Sequence, residues 1–207
     1  MSAVFLLVRH ATNDLVDKAI AGRAPGVRLN AEGQRQAQHL ADRLRTAPIA
    51  AIYVSPLERA LETVAPLAAR LRLEPRISKE LHEIDCGGWT GKTFQELNPD
   101  PEWRLWITRR TGARPPRGES IVEAQRRAVD FIMRLRREHD GATVALVSHG
   151  DVIKAALAHF LRMSLDALES FDIAPASVSA IRVGAQWAQV KLVNDTGALP
   201  RARGSVG

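Results

Sequence analysis

Apolar positions follow two alternating rhythms along the chain. Short runs rich in β-branched residues predict strands at about Val4–Val8, Ala51–Val54, Arg76–Leu81, Thr143–Val147, Val178–Val183 and Gln189–Val193. Longer stretches of helical period lie between them. Ala31–Thr46 sets Ala37, Leu40, Ala41 and Leu44 on one face, and Leu57–Leu71 does the same with Leu57, Leu61, Val64 and Ala68. Ser120–His139 carries a stripe of Ile121, Ala124, Ala128, Ile132 and Leu135, with Arg126, Arg127, Arg134, Arg136 and Arg137 assigned to its other face. Val152–Leu161 follows a strand directly. This alternation predicts an α/β fold, a three-layer sandwich with a mostly parallel central sheet flanked by helices. From about 87 to 118 the pattern breaks into short pieces rich in Trp, Pro and Arg, which read as a lid-like insertion over the sheet. No linker or repeat divides the chain, so residues 1–196 are expected to form one domain and 197–207 a mobile tail.

Composition narrows the class. The chain has 207 residues, 45% hydrophobic and 25% charged, which excludes a disordered or low-complexity scaffold. Lys and Arg number 29 against 23 Asp and Glu, a net charge of +6, and 24 of the 29 cations are Arg. A positive field concentrates anions, so nucleic acid, an anionic membrane surface and phosphorylated small molecules are all admitted. A coding bias toward Arg and Ala accounts for the composition equally well. The single cysteine, Cys86, forbids an internal disulfide and points to the reducing cytosol. The apolar run Ala3–Val8 is too short for a signal peptide or a membrane span. No zinc-ligand spacing and no glycine-rich phosphate loop occurs, so neither a metal nor a cofactor is expected.

Ligands of open α/β sheets bind beyond the carboxyl ends of the strands. The first predicted strand ends in Arg9-His10, the second in Ser55-Pro56 with Arg59 in the next helical turn, the third in His82-Glu83, and the fourth in Ser148-His149-Gly150. Taken singly, each has a plain reading: a hydrogen-bonded packing histidine, a solvated arginine, a surface carboxylate. His10 and His149 with Arg9, Arg59 and Glu83 at one edge fit phosphoryl transfer better. Guanidinium groups bind phosphate oxygens through charge-assisted bonds, a neutral imidazole is a competent nucleophile, and a carboxylic acid can protonate the departing alkoxide. Four side chains of the same edge, His10, His82, Glu83 and His149, also admit a metal-dependent hydrolase.

These residues carry a resemblance to the histidine phosphatase superfamily, which includes the cofactor-dependent phosphoglycerate mutases and the bacterial broad-specificity phosphatases. Leu7-Val8-Arg9-His10-Ala11 resembles the family's R-H-G motif, with Ala in place of Gly. Leu29-Asn30-Ala31-Glu32-Gly33 with Gln36-Ala37 resembles L-T-x-x-G-x-x-Q-A, and Ser55-Pro56-Leu57-Glu58-Arg59-Ala60 with Thr63 matches S-P-L-x-R-A-x-x-T. Glu80 to Gly91 is similar to L-x-E-x-x-x-G-x-W-E-G, with Thr90 for the second Glu. Gly118-Glu119-Ser120 and Val147-Ser148-His149-Gly150 complete the series in family order. The resemblance implies that His10 is the phosphorylated nucleophile, that Arg9, Arg59 and His149 form the phosphate pocket, and that Glu83 is the proton donor.

The loop after the nucleophile departs from the family's G-E-T-x-x-N, reading Ala11-Thr12-Asn13-Asp14 with Val16 where an Asn is usual. Asn13 stands there as a substitute substrate contact or as a cap of its own loop. Arg23, in the turn-rich loop Ala21–Val27, and Gly150 are the other expected substrate-binding residues.

Within the family, mutases typically carry E-R-H-Y-G around the acid and a longer lid, whereas this chain has Glu83-Ile84-Asp85-Cys86-Gly87 and a moderate insertion. The expectation is therefore a phosphomonoesterase of small phosphorylated metabolites. A phosphoglycerate-type mutase is the alternative, followed by a non-catalytic polyanion-binding protein on the same fold. In the insertion, Arg104, Arg109, Arg110, Arg114 and Arg117 stand beside Trp103 and Trp106. They form either a solvated basic face or, if the insertion overhangs the site, a surface for a second anionic group or an aromatic ring. Neither nucleic acid nor membrane is an expected partner, and a homodimer is implied by resemblance alone.

Overall fold

The computed structural model describes residues 2–197; the expected tail at 198–207 lies outside the described residues. Its sheet has six strands in the order β3-β2-β4-β1-β5-β6: β1 (Ser2–Arg9), β2 (Ile49–Val54), β3 (Arg76–Ile77), β4 (Thr143–Ser148), β5 (Val178–Gly184) and β6 (Ala188–Asp195). β3, β2, β4 and β1 run parallel, and β5 and β6 add an antiparallel hairpin beside β1. The parallel strands are apolar almost without interruption because helices cover both faces.

On one face pack α1 (Ala31–Arg43) and α2 (Glu58–Leu71), whose Leu40, Ala60, Val64 and Leu67 meet Val8, Ile52, Val54 and Val147. On the other pack α5 (Ile121–Glu138) and α6 (Gly150–Leu161) against Phe5, Leu7, Tyr53, Val144 and Leu146. Sequence-encoded caps fix the helix starts. Asn30 accepts the Gly33 N–H at 2.9 Å ahead of α1, and Ser120 with Glu123 closes a reciprocal capping box on α5.

The third strand is shorter than its pattern predicts. After Ile77 the chain turns into a 3-10 helix at Lys79–Leu81, where Ser78 Oγ donates to Glu80 and Leu81 drops into the core. Glu83 therefore reaches the sheet edge from a turn, and Ser148 Oγ holds that turn to the end of β4 through the Leu81 carbonyl at 2.8 Å.

The insertion contains two short helices, α3 (Phe94–Leu97) and α4 (Pro101–Thr108), and no strand. Its Trp89, Trp103 and Trp106 pack edge to face within the core on the α5 and α6 side. Arg110 lies over Trp106 and pairs with Asp151 at 2.9 Å and Glu169 at 2.7 Å, tying the insertion to the start of α6. The indole faces proposed for an aromatic ligand are thus occupied by neighbouring side chains. Among the described residues no helix is long and apolar enough to cross a membrane.

Candidate active site

The register of the sheet assembles the site. Arg9 pairs with Ser148 across the parallel β1–β4 ladder, and the His10 N–H donates to the Ser148 carbonyl at 2.9 Å, so His10 and His149 leave the sheet side by side. From this point β1 leads toward the α1 face and β4 into α6 on the opposite face. The chains diverge to opposite faces there, the place at which open α/β sheets take ligands. The two imidazole rings lie 5.2 Å apart.

His10 is 5% exposed, and its Nδ1 sits 2.7 Å from the Ala11 carbonyl oxygen, which can only accept. Nδ1 therefore carries the proton and Nε2 presents a lone pair. Burial, then the charges of Arg59 and Arg9, push its pKa down to about 3, so the imidazole is neutral across the physiological range. Ala11 donates its N–H to Thr63 Oγ1 at 2.8 Å, and that hydroxyl donates to the Arg59 carbonyl at 2.6 Å, which joins the His10 loop to α2. Ala11 does not adopt a positive φ, which explains why alanine is accepted where the motif has glycine. Gly33 is less replaceable, because a Cβ there would stand 2.0 Å from the Thr12 carbonyl oxygen.

Arg59 is 1% exposed at the start of α2, where a cation opposes the helix dipole. Its Nη2 donates to the Gly22 carbonyl at 2.8 Å, while Nε and Nη1 are buried without a partner. Arg9 donates through Nη1 to the Ile173 carbonyl, and its Nε is likewise unpartnered. Gly150 makes room for it, since a Cβ at that position would lie 3.3 Å from Arg9 Nε. His149, fully buried, is held neutral by burial and by Arg59; its Nε2 lies 2.8 Å from Ser55 Oγ and its Nδ1 has no hydrogen-bond partner. Buried donors with nothing to bind are costly, and here they cluster as cationic or N–H groups.

Glu83 completes the edge, with Oε2 3.8 Å from His149 Nδ1 and Oε1 accepting the Ile84 N–H at 2.9 Å. Burial and then the Asp151 carboxylate raise its pKa to about 7 against the pull of Arg59 and Arg9. It can hold or release a proton near neutrality.

Of the other expected residues, Asn13 is buried and caps its own loop, Oδ1 accepting the Leu15 N–H at 3.0 Å. Arg23 lies beside the site but gives its Nε–H to the Glu83 carbonyl at 2.8 Å and Nη2–H to Glu119 at 2.8 Å. Arg127 was assigned to the solvated face of its helix; it is instead largely buried and bonded to Glu119 and to the Glu80 and Glu83 carbonyls. Its spacing of three from Ala124, and its place next to Ala128, put it at the border of the apolar stripe. The helical period already contained that signal. Among the described residues no three His, Cys, Asp or Glu side chains gather into a group able to hold a metal ion.

Fold and site together define an α/β protein with two buried histidines, two buried arginines and a glutamate gathered at the carboxyl edge of its sheet. The chain belongs to the histidine phosphatase superfamily, branch 1, whose family profile matches residues 5–196. It is 31% identical over 183 residues to phosphoserine phosphatase 1 of Hydrogenobacter thermophilus, covering 86% of this chain and 85% of that protein. It is 34% identical over 196 residues to the adenosylcobalamin/alpha-ribazole phosphatase of Salmonella typhimurium, covering 91% and 94%. The solved structure of YhfR from Bacillus stearothermophilus superposes with a TM-score of 0.86 at 31% identity, covering 93% of this chain and 97% of that one. Mycobacterial relatives at 39% identity include a bifunctional protein of Mycobacterium tuberculosis, and the chain spans about half of its length, 54%.

Proposed function

We propose that the protein is a cytosolic, metal-independent phosphomonoesterase of small phosphorylated metabolites that works through a phosphohistidine on His10. The observation that carries this reading is the state of His10: proton on Nδ1, lone pair on Nε2, beside buried guanidinium and imidazole nitrogens that lack a partner.

In the first half-reaction Nε2 attacks phosphorus, the P–O bond to the leaving group breaks, and Glu83 gives its proton to the departing oxygen. Arg9, Arg59 and His149 Nδ1–H hold the phosphoryl oxygens as charge develops on them. In the second, water attacks phosphorus, the Glu83 carboxylate takes its proton and the P–N bond breaks. The sum is ester plus water giving alcohol plus phosphate. In this reading Arg23, which holds the Glu83 carbonyl, stands beside the acid, Asn13 in the loop after His10 is a further substrate contact, and Gly150 opens α6, whose first backbone N–H groups suit a phosphate.

The relatives named for phosphoserine and alpha-ribazole hydrolysis support phosphatase over mutase. A panel of phosphorylated metabolites, assayed for free phosphate and for isomerised ester together, tests it. Phosphate release without isomerisation is expected; an isomerised ester as main product would replace the reading with a mutase.

A further inference from the structure

Outside the phosphate pocket, a concentration of partly buried charge surrounds the main chain of Glu83, away from its carboxyl group. Arg23 donates Nε–H to the Glu83 carbonyl at 2.8 Å. Arg127 donates Nη2–H to the same oxygen at 3.3 Å and Nη1–H to the Glu80 carbonyl at 2.7 Å. Between the two guanidinium groups lies Glu119. Its Oε2 accepts from Arg23 at 2.8 Å and from Arg127 Nη2 at 2.9 Å, and its Oε1 accepts from Arg127 Nε at 2.7 Å. Glu119 is also fixed by its backbone, the N–H donating to the Asp85 carbonyl at 2.8 Å. That approach needs Gly118, where a Cβ would stand 2.2 Å from the same oxygen.

One backbone carbonyl requires only one neutral donor. Two arginines and a carboxylate, drawn from a loop, a turn and a helix, exceed what satisfying it demands, and partly buried ion groups add little net stability. Their best-attested use is to fix one geometry. The arrangement is also balanced: Arg23 and Arg127 supply two positive charges, Glu119 one negative, and Asp85, 3.8 Å from Arg23, the other.

We propose that Glu119, gripped between Arg23 and Arg127, is a positioning residue for proton transfer, fixing the Glu83 main chain while cancelling the charge of the clamp that holds it. This rests on the reading of Glu83 as the acid. The charged or titratable groups around Glu83 are Arg9 at the end of β1, with His10 next in the chain and against His149, Arg59 on α2, His149 and Asp151 at the start of α6, His82, Asp85 and Cys86 in its own turn, and the clamp itself. Removing the Glu119 charge leaves two cations on the Glu83 backbone without their main counter-ion. They favour the ionised carboxylate, so the acid loses its proton at lower pH.

The test follows the Glu83 carboxyl carbon by 13C NMR against pH in the unchanged protein, Glu119→Gln and Glu119→Gln/Arg23→Gln, with Glu83→Gln assigning the resonance. In parallel, kcat/KM is measured for β-glycerophosphate and p-nitrophenyl phosphate. The midpoint, about 7 in the unchanged protein, is expected about one pH unit lower in Glu119→Gln and largely restored in the double variant. β-Glycerophosphate turnover falls about tenfold more than that of the nitrophenyl ester, which needs little protonation. An unmoved midpoint in folded Glu119→Gln overturns the clamp. Should that variant not fold, Arg127→Lys carries the test, and equal losses on both esters overturn the proposal. Failure of the phosphatase reading is distinct: Glu83→Gln itself would then affect the two esters alike.

Discussion

Burial holds the Glu83 carboxyl near pH 7 when folded against an ordinary value of 4.5, with Asp151 adding to the rise. Two measurable consequences follow. In catalysis the protonated acid is lost as pH rises through about 7, so kcat/KM for alkyl phosphates declines above that point while p-nitrophenyl phosphate is less affected. In stability the folded state keeps a proton that the unfolded chain gives up. The contribution is fully present below 4.5, falls as pH rises, and is lost once pH passes about 7. The difference corresponds to about 3 kcal/mol at most. Glu83→Gln is therefore expected to unfold at higher temperature than the unchanged protein at pH 8, with little difference at pH 4.5, while losing alkyl-phosphate turnover. Equal melting temperatures at pH 8 would show that the carboxyl is not held protonated by its surroundings.

Arg110 makes the insertion part of the core, because its guanidinium bridges Asp151 and Glu169 from a position 6% exposed. Breaking a fully buried pair costs about 3–5 kcal/mol. With the Asp151 side chain 34% exposed, Arg110→Ala is expected to cost about 2 kcal/mol, or roughly 4–8 °C in Tm by thermal unfolding. An unchanged Tm would mean that the tryptophans alone anchor the segment. The strands and helices were readable because parallel strands buried on both faces leave unbroken apolar runs, and helices repeat every 3.6 residues. The insertion was not, since Trp103 and Trp106 bury their rings from short helices with too few turns to show a period. The third strand was overextended for a related reason: Leu81 is apolar and buried, but it reaches the core from a 3-10 turn.

The net charge of +6 finds its explanation in how the arginines are placed. Arg9 and Arg59 keep unpartnered nitrogens in the pocket, and Arg23, Arg110 and Arg127 are committed to carboxylates. Others, such as Arg28, Arg114 and Arg134, make exposed pairs of small energetic weight. The convergence of His10, His149, Arg9, Arg59 and Glu83 was legible because each follows or nearly follows a predicted strand, and the β1–β4 register brings the two histidines together. The parts played by Ser55, Ser148, Thr63 and Glu119 were not, although the motif series contains all four, because each depends on contacts across the fold that no local pattern encodes. The proposed reaction turns on a covalent phosphoryl group on His10 Nε2. Rapid quenching of the enzyme during turnover of a 32P-labelled phosphomonoester tests it most directly. The labelled protein is expected to be stable in alkali and labile in acid, with the label on the peptide bearing His10 and absent from His10→Ala. A variant that still turns over ester, or a label found on another residue, would contradict it.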